Sequence, residues 1–308
     1  MRSLEGFAGR GFAPAKVNLF LHVGSVDADG YHPVASLMSF ADVGDRLSLA
    51  PAGRFSFGVD GEFAAALAGE DPSGNLVWRA AQRLLAVAGI APPPLCLTLE
   101  KALPVAAGLG GGSSDAGAAL KLLRDALDLA VDDEGLQAIA AELGADGPAC
   151  LVARPVIGEG RGDRLSPAPA MPLLPAVLVN PRRACSTGQV YRAFDALAAP
   201  ESGADMPQLA ERYDSVASVV ALLTHCRNDL EPPALDVCPE IAEVLSTLRA
   251  APQTHLARLS GSGATCFALC ETVDAAAALA AGLSDQRPEW WVRACRLGGP
   301  WSEEPGPA

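Results

Sequence analysis

The residues PVAAGLGGGSSD, Pro104 to Asp115, place four glycines and two serines between a strand pattern and a helix pattern. Upstream, LCLTLEK (Leu95 to Lys101) alternates as a strand does. Downstream, Ala116, Leu120, Leu123 and Leu127 form an apolar stripe at helical spacing. Few jobs suit such a junction. A Walker loop is excluded, because it needs a lysine directly after its glycines and the next one here is Lys121. A dinucleotide-binding turn fails as well: Gly108, Gly110 and then Ser113 break GxGxxG, and no acidic residue closes a second strand at the right distance. A slack linker would not carry Ser-Ser-Asp, a capping sequence, straight into an amphipathic helix. Two readings of the loop remain open. It is either a structural turn or a cradle that brings backbone N–H groups to a phosphate at the start of a helix predicted over Ser113 to Leu129. Ser113 and Ser114 can cap that helix or touch the phosphate. The helix dipole contributes only about 0.3–1 kcal/mol to an exposed charge, so direct hydrogen bonds must do most of the holding.

The net charge of -13 excludes a general nucleic-acid binder, which needs a basic face. Any anionic ligand must meet a locally positive site. At 308 residues the chain exceeds what one core usually serves, so two domains of comparable size are expected. The prolines Pro167, Pro169, Pro172 and Pro175 of SPAPAMPLLPA mark a connection that stops regular structure, giving domains over residues 1–168 and 169–308. No apolar run approaches the ~20 residues of a membrane span, and MRSLEGFAGR lacks a signal peptide's apolar core, so a cytoplasmic protein without membrane partners is expected. The eight cysteines form no CxxC pair. They read as free thiols, with no structural metal.

Element types alternate as in an α+β protein. Strands are predicted over Phe12 to Val26 and around Leu47, and a helix over Asn75 to Ala88. Beyond the proline-rich stretch come a strand (AVLVN), a helix near Tyr191 to Ala198 and a helix through Ile241, Val244, Leu245 and Leu248. His255 to Cys270 reads as strand, glycine turn, strand, and an Ala-rich helix then leads to the strand WWVRACRL. This second half has the pattern of an α/β sandwich with a mostly antiparallel sheet. Pro200 to Ser218 has no clear pattern, and the tail from Pro300 is expected to be disordered.

Three segments narrow the function. APAKVNLFLHV (Ala13 to Val23), PVAAGLGGGSSDA (Pro104 to Ala116) and RLSGSGATCFAL (Arg258 to Leu269) resemble, in order and approximate spacing, the three motifs of the GHMP kinases. That superfamily holds galactokinase, homoserine kinase, mevalonate kinase and phosphomevalonate kinase. ADGYHP (Ala28 to Pro33), LGADGPACL (Leu143 to Leu151), EGRGDRL (Glu159 to Leu165) and NDLEPPAL (Asn228 to Leu235) look like the branch acting on 4-diphosphocytidyl-2-C-methyl-D-erythritol in the non-mevalonate isoprenoid pathway. The resemblance runs from about Phe12 to Leu297. It implies a two-domain fold: an N-terminal α/β domain of the ribosomal protein S5 domain 2 type, a C-terminal ferredoxin-like sandwich, and an active site in the cleft between them. It also implies ATP as co-substrate, Mg²⁺ held mainly by phosphates and water, and a small-molecule acceptor with a cytidine diphosphate group. Transfer would go to the acceptor's 2-hydroxyl, in a monomer or weak homodimer. Alternatives are another small-molecule kinase of the superfamily or a nucleotide-binding protein without activity.

The same resemblance assigns residues. An alcohol is a poor nucleophile at neutral pH, and a carboxylate that takes its proton beside an ammonium that orients it answers that difficulty. Asp146 and Lys16 match the family's pair. The phosphate loop would be Pro104, Val105, Ala106, Ala107, Gly108, Leu109, Gly110, Gly111, Gly112, Ser113 and Ser114, with Asn75 and Lys101 toward adenine. Tyr31 and His32 would take the cytosine, with Tyr191 (or Phe194, one helical turn on) as a second ring and Thr187 nearby. Asn18, on the same strand face as Lys16, would hold acceptor hydroxyls or a phosphate. Ser260, Gly261, Ser262 and Gly263 would bring the C-terminal half to the phosphates. No protein ligands for Mg²⁺ stand out beyond Ser114 or Asp115. Two departures carry expectations. Ala106 and Ala107 replace glycines of some relatives, tolerable if neither needs a positive φ, and Gly147 in place of a frequent valine is expected to loosen Asp146.

Overall fold

The computed structural model describes residues 9–69, 71–197 and 204–301. Its fold is α+β, as expected, and its spine is a ribbon of two long antiparallel strands, β1 (Gly9–Val23) and β2 (Val34–Pro51). The other side of β2 is shared in succession by β5 (Val156–Gly160), β10 (Trp291–Gly298) and β4 (Leu95–Glu100). Beyond β4 lies β3 (Ser56–Asp60), parallel to it. A short β6 (Arg164–Pro167) forms a hairpin with β5. On the C-terminal side β10 pairs along its length with β7 (Leu174–Asn180), followed by β9 (Cys266–Leu269) and β8 (Leu256–Leu259). Among the described residues one ten-stranded sheet therefore runs through both halves, joined where Leu297 and Gly298 of β10 meet Ala41 and Phe40 of β2.

On the N-terminal half, α1 (Leu76–Val87), α2 (Gly111–Leu127), α3 (Asp133–Leu143) and α4 (Gly147–Val152) build one core. There Val77, Leu84, Leu120, Leu123 and Ile139 pack against Leu47, Leu49, Leu97 and Leu99 of the sheet. The period of two in a strand sorts the C-terminal half. Val177 and Val179 face the core made with α5 (Thr187–Ala196), α7 (Glu231–Val237), α8 (Glu240–Ala250) and α9 (Val273–Gln286). Their neighbours Ala176 and Leu178 face Phe267, Trp291 and α6 (Val216–Thr224).

Several elements differ from the sequence reading. β1 ends at Val23, and the strand around Leu47 is the end of an 18-residue β2. The helix predicted from Ser113 begins at Gly111 and ends at Leu127, with glycine rather than serine at its cap. Pro175 does not stop structure, since it lies inside β7 with its carbonyl accepting from Cys270 N at 2.9 Å. Its place near the strand's first residue is one a proline tolerates. Helices α3, α4, α6 and α7 and strands β3, β5 and β6 were not predicted. Trp301 is fastened by its indole N–H to the Phe40 carbonyl at 2.7 Å, so the expected disorder does not begin at Pro300. The rest of that tail (302–308), the expected helix end at Ala198, and residues 200–203 of the unpatterned segment lie outside the described residues.

Gly147 tightens rather than loosens its surroundings. A Cβ there would stand 2.0 Å from the Ala140 carbonyl oxygen, so α4 rests on α3 at this glycine. Gly147→Val should cost about 1–3 kcal/mol in urea-induced unfolding, the usual toll of overpacking, because α3 must be pushed away.

Candidate active site

A buried ion triad fixes the start of the glycine loop. Lys101, 3% exposed at the end of β4, donates to Asp45 Oδ2 at 2.5 Å and to Asp115 Oδ2 at 2.8 Å, both carboxylates being fully or almost fully buried. Asp45 Oδ1 accepts from the backbone N–H groups of Ala102 and Leu103 at 2.6 and 2.8 Å. One lysine thus ties β2, the exit of β4 and the first turn of α2 together. Burial alone would lower the Lys101 pKa, but Asp115 and Asp45 outweigh it and hold it above the ordinary value. Burial moves the Asp115 carboxyl well up, despite the lysine beside it. Lys101 lines the cleft, as expected, but its ammonium is committed to two carboxylates. It is a strut of the loop and has no charge left for adenine.

The C-terminal half grips the loop by its carbonyls. Ser260 Oγ donates to Gly108 O at 2.9 Å, Thr265 N to Ala107 O at 3.1 Å, and Cys185 N to Ala106 O at 3.2 Å. From β1, Lys16 N donates to Leu109 O at 2.8 Å, which the break in the β1–β2 register between Pro14 and Lys16 allows. Gly108, at φ +74°, is a glycine of close approach: a Cβ would come within 2.2 Å of the Ser260 oxygen. Ala106 sits at φ +50°, so the expectation that the replaced glycines avoid positive φ is corrected at this residue, with a strain cost of order 1–3 kcal/mol. The N-terminus of α2 has no side-chain cap, since Gly110 stands there. The first N–H groups of a helix have no partner within it, so those of Gly111, Gly112 and Ser113 are left for a ligand. Ser114 does not cap and is not free for phosphate or metal: its buried hydroxyl donates to Pro14 O at 2.6 Å.

A cavity of about 430 Å³ opens beside this loop. Of the residues singled out in the sequence, it is lined by Lys16, Asn18, Asn75, Lys101, Pro104 to Gly108, Gly110 to Ser113, Asp146, Thr187, Tyr191, Gly261 and Ser262. Both halves of the chain contribute, as a cleft site requires. Leu109, Ser114, Ser260, Gly263, Tyr31 and His32 are not in the lining. Leu109 packs in the core, and Ser260 hands its hydroxyl to the loop.

Within the cavity Lys16 Nζ lies 3.0 and 2.9 Å from the two carboxylate oxygens of Asp146. Asp146 precedes α4 but makes no side-chain cap, so its carboxylate is turned to the lysine and not to the helix. Lys16 is buried and Asp146 is 40% exposed, which leaves the pair open on the carboxylate side. Two residues on, Asn18 donates through Nδ2 to Ser36 Oγ at 2.8 Å, while its Oδ1 has no partner among the described residues. A buried amide oxygen so placed requires a donor from a ligand or water. Cys150 lies beside the pair, its thiol pushed well up by burial and by the Asp146 charge, so it is no nucleophile.

The aromatic residues are arranged differently from expectation. Tyr191 lines the cavity, its phenol pushed up to about 12 by burial and the Asp146 charge, so its hydroxyl stays protonated. Phe194 is buried in the core and does not line the cavity. His32 lies against both, with ring centroids 5.2 Å from Tyr191 and 5.4 Å from Phe194. Its Nδ1 donates to Gly24 O at 2.8 Å and its Nε2 stands 3.0 Å from Asp195 Oδ1. With both nitrogens engaged, only its backbone is left to read a ligand. Tyr31 is half-exposed, with the Arg161 guanidinium over its ring. Arg161 lines the cavity and was not singled out by sequence, although the quoted EGRGDRL contains it. Asp45, too, was missed, for it sits in β2 with no motif around it.

Two family models match: the GHMP kinases N terminal domain over residues 75–154 and the GHMP kinases C terminal domain over residues 210–288. A 4-diphosphocytidyl-2-C-methyl-D-erythritol kinase of Caulobacter sp. (strain K31) is 57% identical, over 94% of this chain and 98% of its own. The kinase of that name from Caulobacter vibrioides (strain NA1000 / CB15N) is 58% identical over 93% and 98%. A crystal structure of 4-(cytidine 5'-diphospho)-2C-methyl-D-erythritol kinase aligns with TM-score 0.74 and 35% identity, covering 94% of this chain and 99% of that one. At 18% identity, homoserine kinase from Cytophaga hutchinsonii shares the fold, with TM-score 0.66 over 95% of each chain.

Lys101→Met should destabilise the protein by about 3–5 kcal/mol in urea unfolding, because it leaves two buried carboxylates unpaired. The raised Asp115 carboxyl binds its proton more tightly folded than unfolded. Its contribution to stability is therefore complete below about pH 4 and is lost as pH rises toward the folded-state pKa. Asp115→Asn should flatten that decline when unfolding free energy is measured across the pH range above 4.

Proposed function

The chain belongs to the 4-diphosphocytidyl-2-C-methyl-D-erythritol kinases of the GHMP kinase family, and from that premise we propose how its residues carry the reaction. The enzyme transfers the γ-phosphate of ATP to the 2-hydroxyl of the methylerythritol part of a cytidine diphosphate conjugate. The observation that carries the residue assignment is the Lys16–Asp146 pair at 2.9 Å, in a cleft floored by an uncapped helix N-terminus. The phosphates of ATP lie on the N–H groups of Gly111, Gly112 and Ser113, and residues 1–168 carry the nucleotide while residues 169–308 close the cleft. Adenine lies toward Asn75, whose Oδ1 caps α1 through Val77 N at 2.9 Å and whose amide nitrogen remains available. The acceptor lies between Asn18, Thr187 and Tyr191.

In the step itself the acceptor hydroxyl enters beside Asp146, and its proton passes to the carboxylate as the new oxygen–phosphorus bond forms and the bond from the γ-phosphorus to the β,γ-bridging oxygen breaks, that oxygen leaving with ADP. Lys16 releases part of its hold on Asp146 to the incoming oxygens and offsets their charge. The unpartnered Asn18 Oδ1 accepts from another acceptor hydroxyl and so fixes which hydroxyl faces the phosphate. Mg²⁺ bound with the nucleotide would supply neutralisation of the charge on its phosphates. The cavity-lining Asp115 keeps one oxygen, Oδ1, without a partner among the described residues, and Asp115 is the side chain that would meet the ion.

The test is ATP-dependent phosphorylation of 4-diphosphocytidyl-2-C-methyl-D-erythritol, followed by ADP release, with mevalonate and homoserine as rival acceptors. Turnover should occur with the cytidine conjugate and stop when Mg²⁺ is chelated; equal rates with either rival would place the chain in another branch of the family. Asp146→Asn should lower kcat by about 10²–10⁴-fold while ATP affinity stays nearly unchanged, and near-normal turnover would remove Asp146 from the base role.

A further inference from the structure

Both substrates of this kinase are polyanions, yet the positive charge of the cleft is largely spoken for. Its lining cations are Lys16, Lys101 and Arg161. Lys16 is neutralised by Asp146, and Lys101 by Asp45 and Asp115. Arg161 has only a 3.4 Å contact with Asp29, itself 75% exposed, the kind of long surface pair that holds weakly. Its position is built into the fold. The β5–β6 hairpin carries it at the tip, and the pairing of Gly160 with Val34 sets that tip beside the Tyr31–Pro33 segment. Asp163 Oδ1 accepts from Arg161 N at 3.1 Å and fixes the turn. The guanidinium carbon lies 3.7 Å from the Tyr31 ring centroid. Arg161 lines the cavity and Tyr31 does not, so of this stacked pair it is the guanidinium that reaches the void.

We propose that Arg161 recognises the acceptor's diphosphate, and that Tyr31 acts through it, holding the guanidinium in place by cation–π contact. A guanidinium presents paired N–H donors that match phosphate oxygens, and it keeps its charge at every physiological pH. The ring beneath restricts its rotamers, so less freedom is lost when the anion binds. The proposal rests on the acceptor being a nucleoside diphosphate conjugate, and it makes Arg161 the residue that favours such an acceptor over a neutral nucleoside.

The experiment is calorimetric titration of the full-length protein with CDP and with cytidine, the nucleotide site being filled by a non-hydrolysable ATP analogue. The wild type should bind CDP more tightly than cytidine. Arg161→Gln should shrink that preference by about 10-fold or more while leaving cytidine affinity unchanged, and Arg161→Lys should keep part of it. Tyr31→Leu should weaken CDP binding in the wild type and have little further effect in the Arg161→Gln background. A preference unchanged by Arg161→Gln, an equal loss for CDP and cytidine, no preference in the wild type, or additive effects of the Tyr31 and Arg161 substitutions would overturn the proposal. Binding of the ATP analogue controls for folding of each variant. Wild-type turnover of the cytidine conjugate separates the two levels: turnover with an unchanged CDP preference sinks only this role of Arg161, whereas absence of turnover sinks the kinase reading beneath it.

Discussion

The cleft depends on a lysine whose charge is committed to two buried carboxyl groups. Lys101 lies between Asp45 and Asp115 with almost no exposure, and by that contact the end of β4 and the start of α2 are held at fixed distance from β2. A buried ion triad is costly to desolvate, and an apolar cluster of the same volume often holds a fold together as well. What it supplies here is placement. The anchor lies at the two ends of the loop, at Ala102 and Leu103 before it and Asp115 behind it, so the glycines between them need no internal secondary structure to keep their shape.

The loop's orientation follows from where its carbonyls go. Those of Ala106, Ala107, Gly108 and Leu109 accept from Cys185, Thr265, Ser260 and Lys16. Three of those four donors belong to the C-terminal half. A peptide whose carbonyls are satisfied on one side turns its N–H groups to the other, as an anion cradle requires. The third motif therefore acts on the nucleotide loop mainly from behind. Its Ser260 bonds the loop, and Gly261 and Ser262 reach the cavity.

How much of this was legible in the sequence depended on how local the cause was. Lys16 and Asn18 share a cavity because residues two apart in a strand share a face, and a single spacing reveals that. The Lys16–Asp146 pair, 130 positions apart, was reached only through motif resemblance. Resemblance alone placed Lys101 toward adenine; its partners lie 56 and 14 residues away, and no pattern announces that two carboxyl groups will take its charge. Gly147 looked slack because a sequence does not display the Ala140 carbonyl against it. Helices α3 and α4 escaped notice because they are short and close a core set by other elements, so packing rather than periodicity defines them. Arg161 stood in plain sight inside a quoted motif, but its nearness to Tyr31 arises from the β2–β5 register.

The joining of the sheet has a consequence for how the enzyme is made. Strand β10, which links β2 to β7, is the last strand among the described residues, and Trp301 behind it fastens to Phe40. Until β10 is in place, β7 presents an unpaired edge and β2 a gap at Phe40 and Ala41, and the two walls of the cleft have no common sheet to fix their spacing. Chains in that state carry the edges most prone to pairing wrongly. The two walls of the cleft thus gain a common sheet only once β10, later in the chain than both of its partners, stands between them.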